Sequence, residues 1–305
     1  MENILEIKNV TKNYSSKKAI DNVSFDVPKG EVFGLLGPNG VGKTTLIRMI
    51  NQITMPDEGE ILFENEILSE KHIPFVGYLP EERGLYKKMK VGEVALYLAE
   101  LKGLKGIEAR QRLDAWFEKF EITEWWNKKV EELSKGMQQK VQFITTVLHN
   151  PRLLIFDEPF SGFDPLNANL LKQEILSLKE NGATIIFSTH NMASVEEICD
   201  RIVLINSAHN ILSGSVKEIK QRFKTNEYEM ITTSSEIEHL ITEGVILKSK
   251  KQGKDSQTIS VLQIPQGKNA ELLSSILKET EIISYKEILP TMNDIFIHTV
   301  KTNNK

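Results

Sequence analysis

The chain has 305 residues, of which 40% are hydrophobic and 26% are charged, so it can bury one large core plus a smaller one. Its formal net charge of -4 argues against nucleic-acid binding, which needs a basic face. The single cysteine, Cys199, excludes an intrachain disulfide and fits a reducing compartment.

The beginning of the chain carries no targeting signal. Residues Met1–Glu6 lack the basic and then apolar pattern of a signal peptide. No stretch reaches the ~18 apolar residues that span a bilayer. We therefore expect a chain that is soluble by itself and that reaches a membrane only through a partner.

The first eighty residues predict strands around one helix. Val23–Val27 alternates like a half-buried strand, and the apolar run Glu31–Leu36 leads into a glycine-rich turn. Helix formers fill Lys43–Ile50. Further strands are predicted at Ile61–Phe63 and Phe75–Leu79.

From about Val91 to Asn150 the pattern becomes helical, and its aromatic residues at 3–4 spacing indicate core packing. Alternation then returns, with strands at 153–156, 184–188 and 201–206 and helices at 166–181 and 192–199. Strands that alternate with helices predict an α/β fold, a mostly parallel sheet with helices on both faces.

After about Lys224 the sequence pattern changes again. Strands are predicted at 229–233, 258–264 and 282–288, with a loop at Lys250–Asp255 and a helix at Asn269–Lys278. We divide the chain into a first domain at 1–224, whose helical part is about 87–150, and a small α+β domain at 225–305.

The segment Gly37–Thr44 has the spacing of a phosphate-binding P-loop. Its glycines let backbone N–H groups face a phosphate, Lys43 adds a positive charge, and the Thr44 hydroxyl is a Mg²⁺ ligand. A strand before it and a helix after it argue against a chance glycine turn. We predict ATP as the ligand, with candidate contacts at Gly37, Pro38, Asn39, Gly40, Val41, Gly42, Lys43, Thr44 and Thr45.

An acidic pair follows the predicted strand Leu153–Phe156. Both carboxylates emerge at the carboxyl edge of the sheet, where open α/β sheets bind ligands. Asp157 is placed to hold Mg²⁺ through water, and Glu158 is placed to polarise an attacking water. Such a pair is common as an acidic cap, but beside a P-loop it predicts ATP hydrolysis.

The segment Leu133–Gln139 indicates which class of P-loop protein the chain belongs to. It opens a helix with a serine and a glycine, which together form a second anion site. It resembles the signature motif of ATP-binding cassette (ABC) proteins, with Ser134 and Gly136 at the phosphate-facing positions. The resemblance implies a RecA-like P-loop cassette in which ATP is sandwiched between two copies, the signature of each completing the site of the other.

Other cassette motifs follow in the order of that family. The resemblance implies that Tyr14 stacks on adenine. It implies that Ser161–Asp164 is the loop that crosses the dimer interface, with Asp164 at the nucleotide site. It also implies that His190 contacts the γ-phosphate and organises the attacking water.

The chain departs from the family at several positions. Glu81 stands where the family has glutamine, and we assign it as a Mg²⁺ contact beside Thr44 and Asp157. Lys135 replaces a glycine and Met137 a glutamine, neither of which carries the phosphate contacts. A last departure, Phe163 for leucine, is a change of packing.

The resemblance covers about residues 3–220 and is closest to single-cassette subunits of ABC-2-type exporters, including the sodium-extrusion ATPases. The segment Gly77–Tyr86 points to that group, and Ile288–Val300 resembles the tail that follows such cassettes. It implies a homodimer and a multi-span membrane permease, contacted by the segment after Glu81 and the helices up to about Trp126. The location implied is cytoplasmic, on the inner face of the cell membrane.

Two alternatives remain open at this point. One is a soluble mechanical ATPase that acts on DNA or ribosomes, against which we count the acidic charge balance, the single P-loop and the lack of sustained heptads. The other is a nucleotide-binding regulator with little hydrolysis, against which we count the intact pair Glu158 and His190. Nucleic acid is not expected as a partner.

Overall fold

The structure is a computed structural model that describes residues 2–14, 17–82, 84–233, 237–241, 243–253 and 257–303. The chain forms two compact units, which divide between Val216 and Lys217. The domain boundary at 224 stays a prediction. No helix within the described ranges is both long and apolar enough to cross a bilayer.

The first unit contains ten strands and six of the helices named here. The strands are β1 (Asn3–Tyr14), β2 (Lys17–Pro28), β3 (Val32–Leu36), β4 (Glu58–Phe63), β5 (Glu66–Ile67), β6 (Val76–Leu79), β7 (Leu153–Asp157), β8 (Thr184–Thr189), β9 (Arg201–Asn206) and β10 (His209–Ser215). The helices are α1 (Lys43–Ile50), α2 (Val91–Leu101), α3 (Gly106–Lys119), α4 (Lys135–Val147), α5 (Pro165–Glu180) and α6 (Met192–Ile198).

A six-stranded sheet forms the centre of this unit, in the order β10-β9-β3-β8-β7-β6. It is parallel except for β10, which pairs antiparallel with β9. Every residue of β3, β7 and β8 is buried, which explains their continuous apolar runs. The register pairs Leu36 with Thr189 and Asp157 with Ser188. The carboxyl ends of β3, β7 and β8 therefore meet at one edge, and the predicted α/β fold is confirmed.

A second, antiparallel sheet has the order β2-β1-β4-β5. Strand β1 was not predicted from the sequence. Tyr14 is the last residue of β1. The register of β1 against β2 shifts between Ile7 and Val10, and Asn9 has a φ of 49°. Such a bulge interrupts the two-residue alternation by which a strand is recognised.

The helical part packs through its aromatic residues, as predicted. Phe117 and Phe120 are buried. The ring of Phe117 lies 5.4 Å from that of Trp126, and the ring of Phe120 lies 5.8 Å from that of Phe143. The contact between Phe120 and Phe143 holds the end of α3 against α4, so these rings pack in the core as predicted.

The second unit contains α7 (Val216–Arg222), β11 (Glu227–Thr232), β12 (Ile246–Gln252), β13 (Thr258–Gln263), α8 (Asn269–Ile276), β14 (Ile282–Ile288) and α9 (Met292–Asn303). Its strands form one antiparallel sheet in the order β12-β13-β11-β14.

The predicted loop Lys250–Asp255 is wrong in its first half, because Lys250–Gln252 belong to β12. This edge strand is almost wholly exposed, so no apolar alternation marks it. Lys254 and Asp255 lie outside the described residues, as does Arg83 within Gly77–Tyr86. The core of the unit joins its sheet to α8 through Met230, Leu262, Leu272 and Ile276.

Candidate functional site

A cavity of about 360 Å³ contains most of the residues that the motifs predict. Its volume lies within the range of small-molecule sites, ~300–1,000 Å³. Its lining residues come from both sheets, the P-loop and the segment after β6: Tyr14, Lys17, Ala19, Asn39, Gly40, Gly42, Lys43, Thr44, Thr45, Glu81, Asp157 and Glu158. Three acidic residues and one glycine-rich loop, from distant parts of the sequence, thus line one cavity.

The P-loop depends on two glycines that no other residue can replace without movement. Gly37 has a φ of 149°, and a Cβ there would lie 2.3 Å from the carbonyl oxygen of Ile205. Gly42 has a φ of 114°, and a Cβ there would lie 2.3 Å from the carbonyl oxygen of Ala19. Backbone approach this close requires glycine. The loop is therefore packed tightly at Gly37 and Gly42. It is open at the cavity-lining Gly40, where an added Cβ would meet no atom of the described residues within 4 Å apart from its chain neighbours.

Lys43 begins α1 and is buried, with 7% of its surface exposed. Its Nζ donates to the carbonyl oxygens of Gly37 and Pro38, at 2.6 Å and 2.9 Å. Burial lowers the pKa of Lys43, while nearby carboxylates oppose that shift. The ammonium group is thus held inside the loop that it is predicted to serve.

Asp157 is the last residue of β7 and only 5% exposed. Burial raises the pKa of Asp157, and the charges of Glu81 and Glu158 raise it further. Three carboxylates, from Glu81, Asp157 and Glu158, line the same cavity as two lysines. An excess of negative charge before any nucleotide phosphate arrives favours a divalent cation there.

Glu158 is fixed by the end of the neighbouring strand. Its backbone has a φ of 47°, a strained value for a residue with a side chain, and its N–H donates to the carbonyl of Ser188 at 2.9 Å. Oε1 accepts from the backbone N–H of His190 at 2.9 Å and lies 2.6 Å from its Nδ1. Oε2 accepts from the hydroxyl of Thr189 at 3.1 Å. The carboxylate is oriented by β8 while it faces the cavity.

Several predicted contacts do not line this cavity: Gly37, Pro38, Val41, Ser134, Gly136, Asp164 and His190. Gly37 and Pro38 hold Lys43 by their carbonyls, as described above, and Val41 packs against the core. The contact of His190 with a γ-phosphate stays a prediction.

Ser134 and Gly136 stand at the start of α4. Ser134 caps the helix, and its hydroxyl accepts from the N–H of Met137 at 3.3 Å. A Cβ at Gly136 would meet the carbonyl oxygen of Gly162 at 3.5 Å, so the signature and the loop before α5 are neighbours. Neither signature residue serves the cavity of its own chain.

Asp164 has a local task that the resemblance did not imply. It is the N-cap of α5, and its Oδ1 accepts from the N–H groups of Leu166 and Asn167, each at 3.0 Å. The hydrogen bonds from Asn167, with that from Leu166, hold the pKa of Asp164 below its usual value. Its role at the nucleotide stays a prediction beside this capping role.

Three residues of the site were missed in the sequence. Lys17 and Ala19 line the cavity from β2, and the one signal for them is their closeness to Tyr14 along the chain. Thr189 donates a hydrogen bond to Glu158. The sequence signal that could have identified it is its position between the predicted strand 184–188 and His190.

Comparison with known proteins decides the family. A family model for "ABC transporter" matches residues 20–161. The chain is 43% identical over 298 residues to the ABC transporter ATP-binding protein YhaQ of Bacillus subtilis (strain 168), covering 97% of this chain and 98% of that protein. The chain belongs to the ABC transporter ATP-binding proteins. It is accordingly an ATP-binding subunit of an ABC transporter and an ATPase, as the motifs predicted.

Other relatives agree with the exporter-type resemblance. A model of the "ATP-binding protein DrrA1-3-like, C-terminal domain" matches residues 214–300. The ABC transporter ATP-binding protein NatA of B. subtilis (strain 168) is 33% identical, covering 71% of this chain and 90% of that protein. The linearmycin resistance ATP-binding protein LnrL of the same strain is 33% identical, covering 76% and 75%. A model described as "AAA domain, putative AbiEii toxin, Type IV TA system" also matches residues 129–196.

Solved structures show the same cassette fold. The "ATP binding subunit of ABC transporter" is 32% identical with a TM-score of 0.68, covering 72% of this chain and 93% of that chain. CbiO1 of Clostridium perfringens, part of the ABC transporter complex CbiONQ, is 28% identical with a TM-score of 0.63, covering 73% and 94%. Subunits of this family work with membrane permease components.

Proposed function

We propose that this chain is the motor subunit of an exporter, in which ATP joins two cassettes and hydrolysis at Glu158 separates them. The observation that carries the proposal is the oriented carboxylate of Glu158, which faces the P-loop cavity while His190 and Thr189 hold it. A water between this carboxylate and a bound γ-phosphate would be polarised for attack.

Each wall of the cavity has a task in nucleotide binding. Lys43 and the N–H groups of the P-loop neutralise the phosphates, and the start of α1 adds its dipole. Tyr14, 43% exposed at the rim, offers its ring to the adenine. Together these groups position the nucleotide, which is most of what phosphoryl transfer requires.

The donor set fits Mg²⁺. Thr44, Asp157 and Glu81 offer a hydroxyl and two carboxylates within one cavity, and Mg²⁺ prefers such oxygens together with phosphate oxygens. The described residues contain no group of three His, Cys, Asp or Glu dense enough for a metal site made by protein alone, and a nucleotide-bound Mg²⁺ needs none. When bound, the ion would neutralise charge on the phosphates.

The dimer follows from the two signature residues. Ser134 and Gly136 carry a serine hydroxyl and bare N–H groups at the start of α4, yet they lie outside the cavity of their own chain. In a homodimer each pair would complete the site of the other copy. Asp164, beside them in the loop before α5, would lie at the same junction.

The permease would be a separate multi-span protein, with this chain in the cytoplasm on the inner face of the membrane. Export is favoured because NatA, LnrL and the DrrA-like tail are the relatives described above. Nucleic acid is not proposed as a partner.

Purification of a tagged chain from membranes tests the proposal. We expect a multi-span membrane protein to accompany the wild-type chain and to stimulate its ATPase activity. The matched control is Glu158→Gln, which should retain the partner and lose the stimulation. Recovery of DNA or ribosomes in place of a membrane protein would support the mechanical ATPase instead.

A further inference from the structure

Strand β8 carries a buried hydroxyl that makes no hydrogen bond within the described structure. Ser188 is 0% exposed, and its Oγ has no partner among the described residues. The other two hydroxyls of the strand are paired. The Oγ1 of Thr184 accepts from the N–H of Gly30 at 2.9 Å, and the Oγ1 of Thr189 donates to Oε2 of Glu158 at 3.1 Å. Because an unpaired buried polar group is costly, most are paired, and Ser188 is an exception that requires a reason.

The register of the central sheet places Ser188 between an apolar residue and Asp157. Residues that pair across neighbouring strands point to the same face of a sheet. Ser188 pairs with Leu35 of β3 on one side and with Asp157 of β7 on the other. Ile186, two residues back along β8, shares this face and belongs with Leu35 to the core cluster that includes α1. The carboxyl of Asp157 is thus the polar side chain that the register brings next to the Ser188 hydroxyl.

The side chains of Ser188 and Asp157 already influence each other. Burial does most to raise the pKa of Asp157, and the Ser188 hydroxyl opposes that rise more strongly than Lys43 does. The hydroxyl therefore lies beside the carboxylate but outside the geometry of a full hydrogen bond. An ionised carboxylate only accepts hydrogen bonds, and a hydroxyl can donate one. A small movement of the carboxylate towards Ser188 would complete the bond.

The end of β8 shows what such a bond does for the neighbouring acidic residue. Thr189 donates to one oxygen of Glu158 and thereby helps to orient that carboxylate. A metal-binding carboxylate gains in the same way, because a hydrogen bond to its other oxygen fixes the direction in which it faces the ion. Ser188 stands to Asp157 on the paired strands as Thr189 stands to Glu158.

We propose that Ser188 is a positioning residue for Asp157, donating its hydroxyl to one carboxylate oxygen when Mg²⁺ and nucleotide are bound. The other oxygen then faces the ion. Two consecutive hydroxyls at the end of β8 thus orient the two consecutive carboxylates at the end of β7. Ser188 does not line the cavity, so it acts through Asp157 and is not itself catalytic. The inference rests on the Mg²⁺ site of the proposed function.

The test measures how strongly Mg²⁺ improves the binding of a non-hydrolysable ATP analogue to the full chain. Binding is titrated once with Mg²⁺ and once with a chelator, and the ratio of the two affinities reports the metal contact. In Ser188→Ala this ratio should fall about tenfold, the lower end of the ~10–100-fold typical for partners of metal ligands. The affinity without Mg²⁺ should be unchanged.

Two further variants separate the hydrogen bond from packing. Ser188→Cys keeps the volume of the side chain but donates only weakly, so it should behave like Ser188→Ala. Ser260→Ala is the matched control, because Ser260 is also 0% exposed and its Oγ also lacks a partner in the described structure. Neither alanine variant loses a full hydrogen bond, so both should melt at or above the Tm of the wild type. Ser260→Ala should keep the wild-type ratio.

Turnover gives a second readout of the same contact. Ser188→Ala should need about tenfold more Mg²⁺ for half-maximal ATPase activity, and its kcat at saturating Mg²⁺ should approach that of the wild type. A residue that only stabilised the fold would not shift the Mg²⁺ requirement alone.

The inference is overturned if Ser188→Ala keeps the wild-type ratio, or if its affinity falls equally with and without Mg²⁺. A loss of Tm confined to Ser188→Ala, with the ratio unchanged, would assign the hydroxyl to stability. Failure of the proposed function looks different, because it appears in the wild type. A wild-type chain that binds the analogue equally well with and without Mg²⁺ contradicts the proposed metal site and overturns the inference with it.

Discussion

The Nδ1 of His190 lies 2.6 Å from the Oε1 of Glu158, and the two residues stand at the ends of neighbouring parallel strands. His190 is mostly exposed, with 66% of its side chain accessible, whereas Glu158 has 13%. The histidine thus orients the carboxylate from the outer side while the carboxylate faces the cavity. The carboxylate that we propose as the base is therefore held in place before substrate arrives.

His190→Ala should reduce ATP turnover by about 100-fold or more, because a general base that loses its orienting partner loses most of its effect. ATP affinity should change little, since His190 does not line the cavity. Turnover and equilibrium binding of a fluorescent ATP analogue measure the two effects separately. His209→Ala, an exposed histidine beside Asp21, is the control and should leave both intact. A variant that lost affinity and kept turnover would contradict the role given to His190.

Lys43→Ala should weaken ATP binding by about 100-fold, because a buried ammonium group inside the phosphate loop is worth far more than an exposed one. Lys17→Ala removes a lysine that also lines the cavity but belongs to no phosphate motif, and it should cost much less. Isothermal titration with ATP and Mg²⁺ gives both values, and a thermal melt shows whether each variant folds. Equal losses in the two variants would mean that charge alone, and not the loop, binds the phosphates.

Glu81→Gln should strengthen ATP binding in the absence of Mg²⁺, by roughly tenfold, because it removes one of three carboxylates that face the phosphates. With Mg²⁺ the gain should shrink or reverse, since a candidate ligand of the ion is lost. Glu82→Gln makes the same change of charge one residue further on, outside the cavity lining, and serves as the control. The role of Glu81 would be contradicted if both variants altered metal-free affinity equally.

Asp164→Ala should lower the Tm by about 2–4 °C, because α5 loses its N-cap. Asp164→Asn should retain most of the stability, since asparagine is also a good cap. Hydrogen bonds, those from Asn167 above all, hold the pKa of the Asp164 carboxyl below its ordinary value of 3.8. The stabilisation by the Asp164 carboxylate is therefore complete above the ordinary pKa of aspartate. It is lost as the pH falls through the lower pKa of Asp164 in the folded protein.

Melting curves of the wild type and the Ala variant should accordingly converge in strong acid. Because Asp164 does not line the cavity of its own chain, ATP affinity of the monomer should be unchanged in both variants. A loss of monomer affinity in the Asn variant, with its Tm intact, would assign Asp164 a direct nucleotide contact.

The site could be predicted from sequence where its chemistry is local. Gly37–Thr44, Asp157 and Glu158 are short motifs at strand ends, and a strand end fixes where its side chains emerge. Lys17 and the hydrogen bond from Thr189 to Glu158 were missed because no motif marks them. Lys17 depends on its pairing with Tyr14 between β1 and β2, and the hydrogen bond depends on β7 and β8 being neighbours.

The strands of the fold also differ in how well the sequence predicts them. The continuous apolar runs of β7 and β8 predicted a buried parallel sheet, whereas the bulged β1 and the exposed β12 show no alternation of apolar and polar residues. Strands β1 and β12 are held by backbone pairing with neighbours, β12 with β13 and β1 with β2 and β4. Such pairing is set by tertiary context more than by the residues of the strand itself.

In the proposed dimer, each nucleotide site is completed by a second copy of this chain. Light scattering of purified Glu158→Gln with and without ATP tests it most directly, because the amide keeps the shape of the side chain and cannot polarise the attacking water. We expect no turnover and a stable dimer that forms with ATP and dissociates without it. We also expect that adding Ser134→Glu, a negative charge at the signature, prevents this dimer. A chain that stays monomeric at saturating ATP would contradict the shared site.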